Sequence, residues 1–234
     1  MTGFHRDAIR AFRFVRCAFD AATGVARLVY AFDDGDELTE TITFPGAPFA
    51  LDTVRVEAVE KALRLLHLIA GVSYYKAAVS TEIRIDAYAI DADTAALLTE
   101  IYENGLGEFA YRNGLSLRGK IRFPHASLDA PIAQKIGLTS HALTAIGGGK
   151  DSLVSIEALR AVGIEQTVSW IGSSPLIAAC AARTGLPTLN ITRQLAPQLF
   201  EYNRQGAYNG HIPVTAINSA ILVLAALLRG YDQV

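Results

Sequence analysis

Ala142-Leu-Thr-Ala-Ile-Gly-Gly-Gly-Lys-Asp-Ser-Leu-Val-Ser-Ile-Glu157 decides the architecture of this chain. Its apolar opening, Ala142 to Ile146, reads as a short buried strand. Gly147, Gly148 and Gly149 form a loop, and a helix begins near Asp151. Successive glycines accept positive φ and let backbone N–H groups approach a ligand with no Cβ in the way. The helix that follows turns its free N–H groups and the positive end of its dipole into the loop. Strand, loop and helix together make an anion site, most naturally for phosphate.

Two common phosphate loops do not fit. The NTPase P-loop requires Gly-x-x-x-x-Gly-Lys-Ser/Thr, but Asp151 follows Gly149-Lys150, and Thr144 stands five residues before Gly149. The dinucleotide fingerprint Gly-x-Gly-x-x-Gly lacks its third glycine, because Lys150 and Ser152 occupy the candidate positions. The Ser-Gly-Gly-x-Asp-Ser loop of the ATP pyrophosphatases is similar to Gly147-Gly148-Gly149-Lys150-Asp151-Ser152, with glycine replacing the first serine and one hydroxyl donor thereby removed. Backbone N–H groups from Gly148 to Ser152 are then expected to hold the phosphates. Lys150 is placed either to neutralise their charge or to stand in solvent. Asp151 suits a magnesium ion or the helix cap, and Ser152 a phosphate or the cap.

The rest of the chain divides around this stretch. Downstream, strands at 142–146, 166–171 and 187–192 alternate with helices at 151–162, 175–184 and 195–205. An apolar helix at 214–229 is ended by Gly230. That alternation predicts a parallel sheet with helices on its faces and ligands at the carboxyl ends of its strands. Those ends hold 147–152, 172–174 and Thr192-Arg193. Upstream, 12–19, 25–32 and 38–44 read as an antiparallel meander with a turn at 33–36. A helix is predicted over 53–70, with Val54, Val59, Leu63, Leu66 and Ile69 on one face. A strand at 82–90 and a helix capped by Asp91 or Asp93 follow, the helix running to about Glu103. Gly105, Gly107 and Gly114 loosen the next stretch, and 116–123 reads as one more strand. Pro124, Pro131 and Gly137 mark a linker. The expected organisation is an α+β domain at 1–123, a linker at 124–140 and an α/β domain at 141–234. The end at Gly230-Tyr-Asp-Gln-Val234, where a strand is starting, reads as an interruption of a longer polypeptide.

At 51% hydrophobic and 19% charged, the 234 residues suffice for a real core, and a net charge of −2 gives no electrostatic case for a nucleic-acid partner. Cys17 and Cys180 have no metal-binding spacing and fit a reducing compartment. Neither a signal peptide nor a membrane-spanning apolar run is visible, so a cytoplasmic protein is expected. Tyr74, Tyr75 and Lys76 either contact a polar substrate or pack on the core. His67 and His141 are read as structural. His211 stands in a polar loop before a helix opening with Pro213, a candidate for acid–base work or a structural histidine.

Three segments carry a closer resemblance: the loop within Thr144–Glu157, Leu65-Leu-His-Leu-Ile-Ala-Gly-Val-Ser-Tyr-Tyr-Lys-Ala77, and Tyr208-Asn-Gly-His-Ile-Pro-Val-Thr-Ala-Ile-Asn-Ser219. Together they resemble the UDP-N-acetylmuramoyl-L-alanyl-L-glutamate epimerases, whose members run considerably longer. The resemblance implies a PP-loop domain of the adenine nucleotide α-hydrolase type with ATP and Mg2+. The implied reaction turns the terminal L-Glu of UDP-MurNAc-L-Ala-L-Glu into D-Glu through an acyl-adenylate, releasing AMP and pyrophosphate. ATP is expected on Gly147, Gly148, Gly149, Lys150, Asp151 and Ser152, Mg2+ on Asp151, and catalytic roles on Lys150 and His211. The proton-transferring base is otherwise expected beyond Val234. Two alternatives remain open on the same loop: an amide-forming ligase, and an ATP-binding regulatory module without turnover.

Overall fold

The computed structural model describes residues 4–128 and 135–234. The chain opens with β1 (Ala11–Asp20), β2 (Val25–Phe32) and β3 (Leu38–Thr43), the expected antiparallel meander. The turn between β1 and β2 is held by the Asp20 carboxylate, which accepts from the Ala22 N–H at 2.9 Å and the Thr23 hydroxyl at 2.7 Å. Gly24 closes it at φ 72°, where a Cβ would come within 2.4 Å of the Phe44 carbonyl oxygen, so only glycine fits.

Helix α1 (Thr53–Ala70) is capped by Asp52, whose side chain accepts from the Arg55 N–H at 2.8 Å. It buries Val59, Leu63, Leu66 and Ile69 on the meander, while Val54, predicted on that face, is exposed in the first turn. At Gly71 the chain passes so close to the sheet that a Cβ would lie 2.3 Å from the Phe14 ring. The stretch that follows is a short helix, α2 (Val72–Tyr75). Strand β4 (Glu82–Ile85) pairs parallel with β1 and stops where that register ends at Phe14, well short of the predicted Ile90. Asp91 caps α3 (Ala92–Gly105), accepting from the Thr94 N–H at 2.7 Å.

Two expectations fail here. The glycine-containing stretch after α3 is a helix, α4 (Gly107–Asn113), because Phe109 and Ala110 are buried and Gly114 supplies a left-handed stop at φ 65°. The strand predicted at 116–123 does not form. Leu117, Ile121 and Phe123 are buried without a sheet partner, Phe123 resting on Tyr102 with ring centroids 5.0 Å apart.

The predicted alternation follows as β5 (Thr139–Ala145), α5 (Lys150–Ala161), β6 (Gln166–Ile171), α6 (Pro175–Arg183), β7 (Thr188–Gln194), α7 (Pro197–Arg204), α8 (Val214–Arg229) and β8 (Tyr231–Gln233). Strands β7, β6, β5 and β8 are mutually parallel. Helices α5 and α6 cover one face over Ile146, Ile156, Val168 and Ala181. On the other, α8 packs on α1, and Leu143, Leu189 and Ile191 join the same core as Phe12 and Tyr30.

The eight strands form one mixed sheet in the order β4-β1-β2-β3-β7-β6-β5-β8. Strand β7 serves both halves. Residues Thr188 to Ile191 pair with β6, and Thr192 to Gln194 pair antiparallel with Thr43 to Thr41 of β3. Thr192 and Arg193, expected in a loop at the strand ends, therefore continue the strand. The architecture changes near the expected boundary, but the sheet and the main core run through both halves. Of the expected linker at 124–140, residues 129–134 lie outside the described residues. No described helix is long and apolar enough to cross a membrane.

Candidate functional site

The glycine loop sits where the strand–helix alternation places it, at the carboxyl end of β5. Gly148 takes φ 78°, and Gly149 is the extended N-cap of α5 with no side-chain cap. Cβ atoms added at Gly147 or Gly149 would meet nothing within 4 Å, so the backbone there is open to a ligand. One at Gly148 would lie 3.7 Å from Ile177 and 3.9 Å from Cys180, which identifies α6 as the neighbouring wall. Helix α6 starts at the same edge, with Ser174 capping it and Gly172 in the left-handed region at φ 99°. Two helix N-termini thus stand over adjacent strand ends, and their dipoles favour an anion between them.

Lys150 and Asp151 are exposed in the first turn of α5. The Ser152 hydroxyl donates to the Gly149 carbonyl at 2.9 Å, so it must rotate to meet a phosphate. Asp151 stands without a metal-binding cluster: no group of three or more His, Cys, Asp or Glu able to hold an ion occurs among the described residues. A single carboxylate suits Mg2+, which is commonly held by one or two carboxylates, water and substrate phosphates.

The two other diagnostic segments meet each other. The Tyr208 N–H donates to the Ala77 carbonyl at 2.9 Å, and Lys76 Nζ donates to the Asn209 side chain. Asn113 Nδ2 donates to the Asn209 carbonyl at 3.1 Å. Lys76 is only 7% exposed, and burial holds its ammonium below the usual lysine range. Tyr74 and Tyr75 are buried: the Tyr74 hydroxyl accepts from the Ala196 N–H at 2.9 Å, and the Tyr75 hydroxyl donates to the Ser80 carbonyl at 3.3 Å. Both rings therefore pack on the core. His211 is exposed beside Gly210, which rests against Phe109.

The sheet register separates these segments from the glycine loop. Ala145 is level with Ser169 and so with Leu189, while Thr192 is level with Thr43, Val25 and Asp20. The meander therefore begins about where the parallel strands end. Its far end, at Ala11 and Glu82, lies a further nine or so residues along β1, roughly 30 Å. No hydrogen bond or ion pair joins His211 to Lys150, Asp151 or Ser152 among the described residues.

His67 is structural, as expected. Its Nε2 donates to the Val29 carbonyl at 3.0 Å, which leaves Nδ1 to accept from the Tyr88 hydroxyl at 2.8 Å. Burial pushes it down to about 4, the bond to Val29 opposing. A histidine with a depressed folded pKa stays neutral while the unfolded chain takes up its proton. Its contribution is complete above pH 6.5 and is lost as pH falls towards 4. Urea unfolding at pH 7 and pH 4 is expected to show the native chain losing roughly 2–3 kcal/mol more than His67→Gln. Equal losses would refute this account of His67. Burial likewise pushes the Cys17 thiol up to about 11, so it is no thiolate at neutral pH.

Fold and loop together define an α/β protein with an open glycine loop at a helix N-terminus. Residues 3–234 match the MurL N-terminal domain family. The chain belongs to that family. It is 70% identical over its whole length to the UDP-N-acetyl-alpha-D-muramoyl-L-alanyl-L-glutamate epimerase of Xanthomonas oryzae pv. oryzae, of which it spans 52%. It is 41% identical over 96% of its length to the protein of the same description from Salinispora tropica, spanning 50% of it. The chain therefore covers about half the length of these relatives. No solved structure matches it.

Proposed function

We propose that this chain is the nucleotide-holding half of an enzyme that epimerises the terminal L-Glu of UDP-MurNAc-L-Ala-L-Glu, with ATP as co-substrate. The observation that carries this reading is the 70% identity along the whole chain to a protein described as that epimerase. The open glycine loop and uncapped start of α5 support the nucleotide role.

The chemistry explains why such an enzyme uses ATP. Removing an α-proton beside a carboxylate places a carbanion next to a negative charge. Attack of that carboxylate on the α-phosphorus of ATP breaks the bond to pyrophosphate and gives an acyl-adenylate. Its acyl group is neutral and electron-withdrawing, so a base can take the α-proton and return it on the opposite face. Water then releases AMP. In this chain the N–H groups of Gly148 to Ser152 would hold pyrophosphate as leaving group, Lys150 would offset its charge, and Asp151 would hold Mg2+, which screens the phosphates. Such catalysis is mostly positioning and charge neutralisation. The group that takes the α-proton must stand within hydrogen-bond reach of the substrate held at this loop, and Lys76 and His211 lie on the segments that the sheet register separates from it.

Pyrophosphate release and chiral analysis of glutamate, run on a protein of the relatives' full length carrying this chain, test the reading. Release that requires UDP-MurNAc-L-Ala-L-Glu, accompanied by D-Glu, is expected. ATP binding without release would identify a regulatory module. Ammonia-dependent product without inversion would identify a ligase. Either overturns the proposal.

A further inference from the structure

Strand β1 runs from Ala11 to Asp20, but its outer neighbour β4 pairs only with Ala11 to Phe14. The ladder to β2 bulges between Phe14 and Arg16. Beyond the bulge, Arg16 to Asp20 pair regularly with Val29 to Val25. Strand β4 is the margin of the sheet on this side, so the second half of β1 is itself an edge. Among the described residues no strand, turn or loop other than β2 bonds to the main chain of Arg16 to Phe19. The edge closes at Ala21, whose carbonyl accepts from the Phe49 N–H at 2.8 Å.

An edge of unpaired N–H and C=O groups is a template for another strand, and proteins guard it with charge, proline or a covering element. The charges on this edge are turned away from it. Arg16 is drawn to Glu37, Nη2 donating to Oε2 at 2.6 Å, and the Asp20 carboxylate is engaged in the β1–β2 turn. Beside the edge a cleft of about 430 Å³ opens between β1 and α1, walled by Phe19, Val56, Val59 and Leu63. Val56 is 37% exposed within it. Glu60 and Arg64, both largely exposed and 3.9 Å apart, form its charged rim. A strand laid along the edge, roughly 4.8 Å from β1, would turn every second side chain into the cleft and the others to solvent.

We propose that the free edge of β1 and the cleft beside it receive an extended strand with apolar side chains at alternate positions, supplied by the half of the longer relatives' chain that lies outside these 234 residues. Main-chain hydrogen bonds along Arg16 to Phe19 would hold the strand, and the cleft would select its side chains. Length points to the source. The chain spans 52% and 50% of its relatives, so each carries about as much chain again. A strand of the same polypeptide meets the edge at a high effective concentration, so a short edge suffices where it would hold a separate protein only weakly. This docking rests on family membership and not on the proposed reaction.

Residue-resolved hydrogen exchange tests it, comparing the 234-residue chain with a protein of the relatives' full length that carries it. In an antiparallel pair every second N–H of Arg16 to Phe19 points away from β2. Those outward amides are expected to exchange about tenfold more slowly, or slower still, in the long protein. Val56→Glu puts a carboxylate at an exposed position in the first turns of α1, where the helix dipole favours it. It should leave the thermal midpoint of the 234-residue chain unchanged. In the long protein it should return the outward amides to the rates of the short chain, because an apolar side chain cannot be laid on the carboxylate without desolvating it. Equal exchange in the two parent proteins overturns the proposal, and so does protection that survives Val56→Glu. Protection already complete in the 234-residue chain overturns it as well. If that protection grows with protein concentration, the edge belongs to a second copy instead.

Discussion

Arg193→Met, with Glu40 left in place, is expected to destabilise the fold by about 3–5 kcal/mol. Glu40 is 0% exposed and Arg193 12%. Arg193 grips the carboxylate with two bonds, Nε to Oε1 at 2.7 Å and Nη2 to Oε2 at 3.2 Å, and Nη2 also donates to Ser73 Oγ at 2.9 Å. Burial pushes the Glu40 carboxyl up, and Arg193 pulls it back towards its charged form. Removing only the arginine leaves an unpaired carboxylate in the core, which must protonate or draw in water. Arg193→Lys is expected to fall between, because an ammonium cannot reproduce the paired bonds. Replacing both partners, Glu40→Leu with Arg193→Met, should recover much of the loss, since two matched apolar side chains leave nothing unsatisfied. Urea unfolding of the four proteins checks this. A single variant as stable as the parent would show that Glu40 is already neutral.

Asp151→Asn is expected to lower substrate-dependent pyrophosphate release by on the order of 10²–10³-fold in a protein of full length, with the thermal midpoint nearly unchanged. Asp151 is exposed and its side chain makes no hydrogen bond among the described residues, so the fold asks little of it beyond a weak helix-dipole interaction. Its carboxylate stands two residues past the open N-cap, where an ion shared with phosphate oxygens would lie. The neutral amide keeps the shape and removes the charge. Unchanged turnover in Asp151→Asn would assign the carboxylate to the helix dipole alone.

Local pattern carries much of this fold. Strand β2, helix α1, strand β6 and helix α8 begin and end where alternation, capping residues and Gly230 place them. Pattern fails where burial rather than periodicity decides. Helix α4 forms between glycines because Phe109 is pinned in the core, and residues 116–123 alternate like a strand yet find no edge to join. The pairing of β3 with β7 has no local signature, since Thr41 and Gln194 are equally suited to a solvent edge. The open glycine loop between β5 and α5 was legible as a feature of the fold because it lies within six consecutive residues. The contact of Lys76 with Asn209 was not, because it joins stretches 133 residues apart.

The seam at β7 also constrains how such a chain can be inherited. Glu40 and Arg193 lie on either side of the point where the architecture changes, which is where a recombination event would be expected to do least harm. A crossover there that exchanged only the later segment for one lacking an arginine at 193 would deliver a buried carboxylate without its counter-charge. Chimaeras of related chains are therefore expected to tolerate a breakpoint between residues 123 and 141 only when both parents agree at this pair.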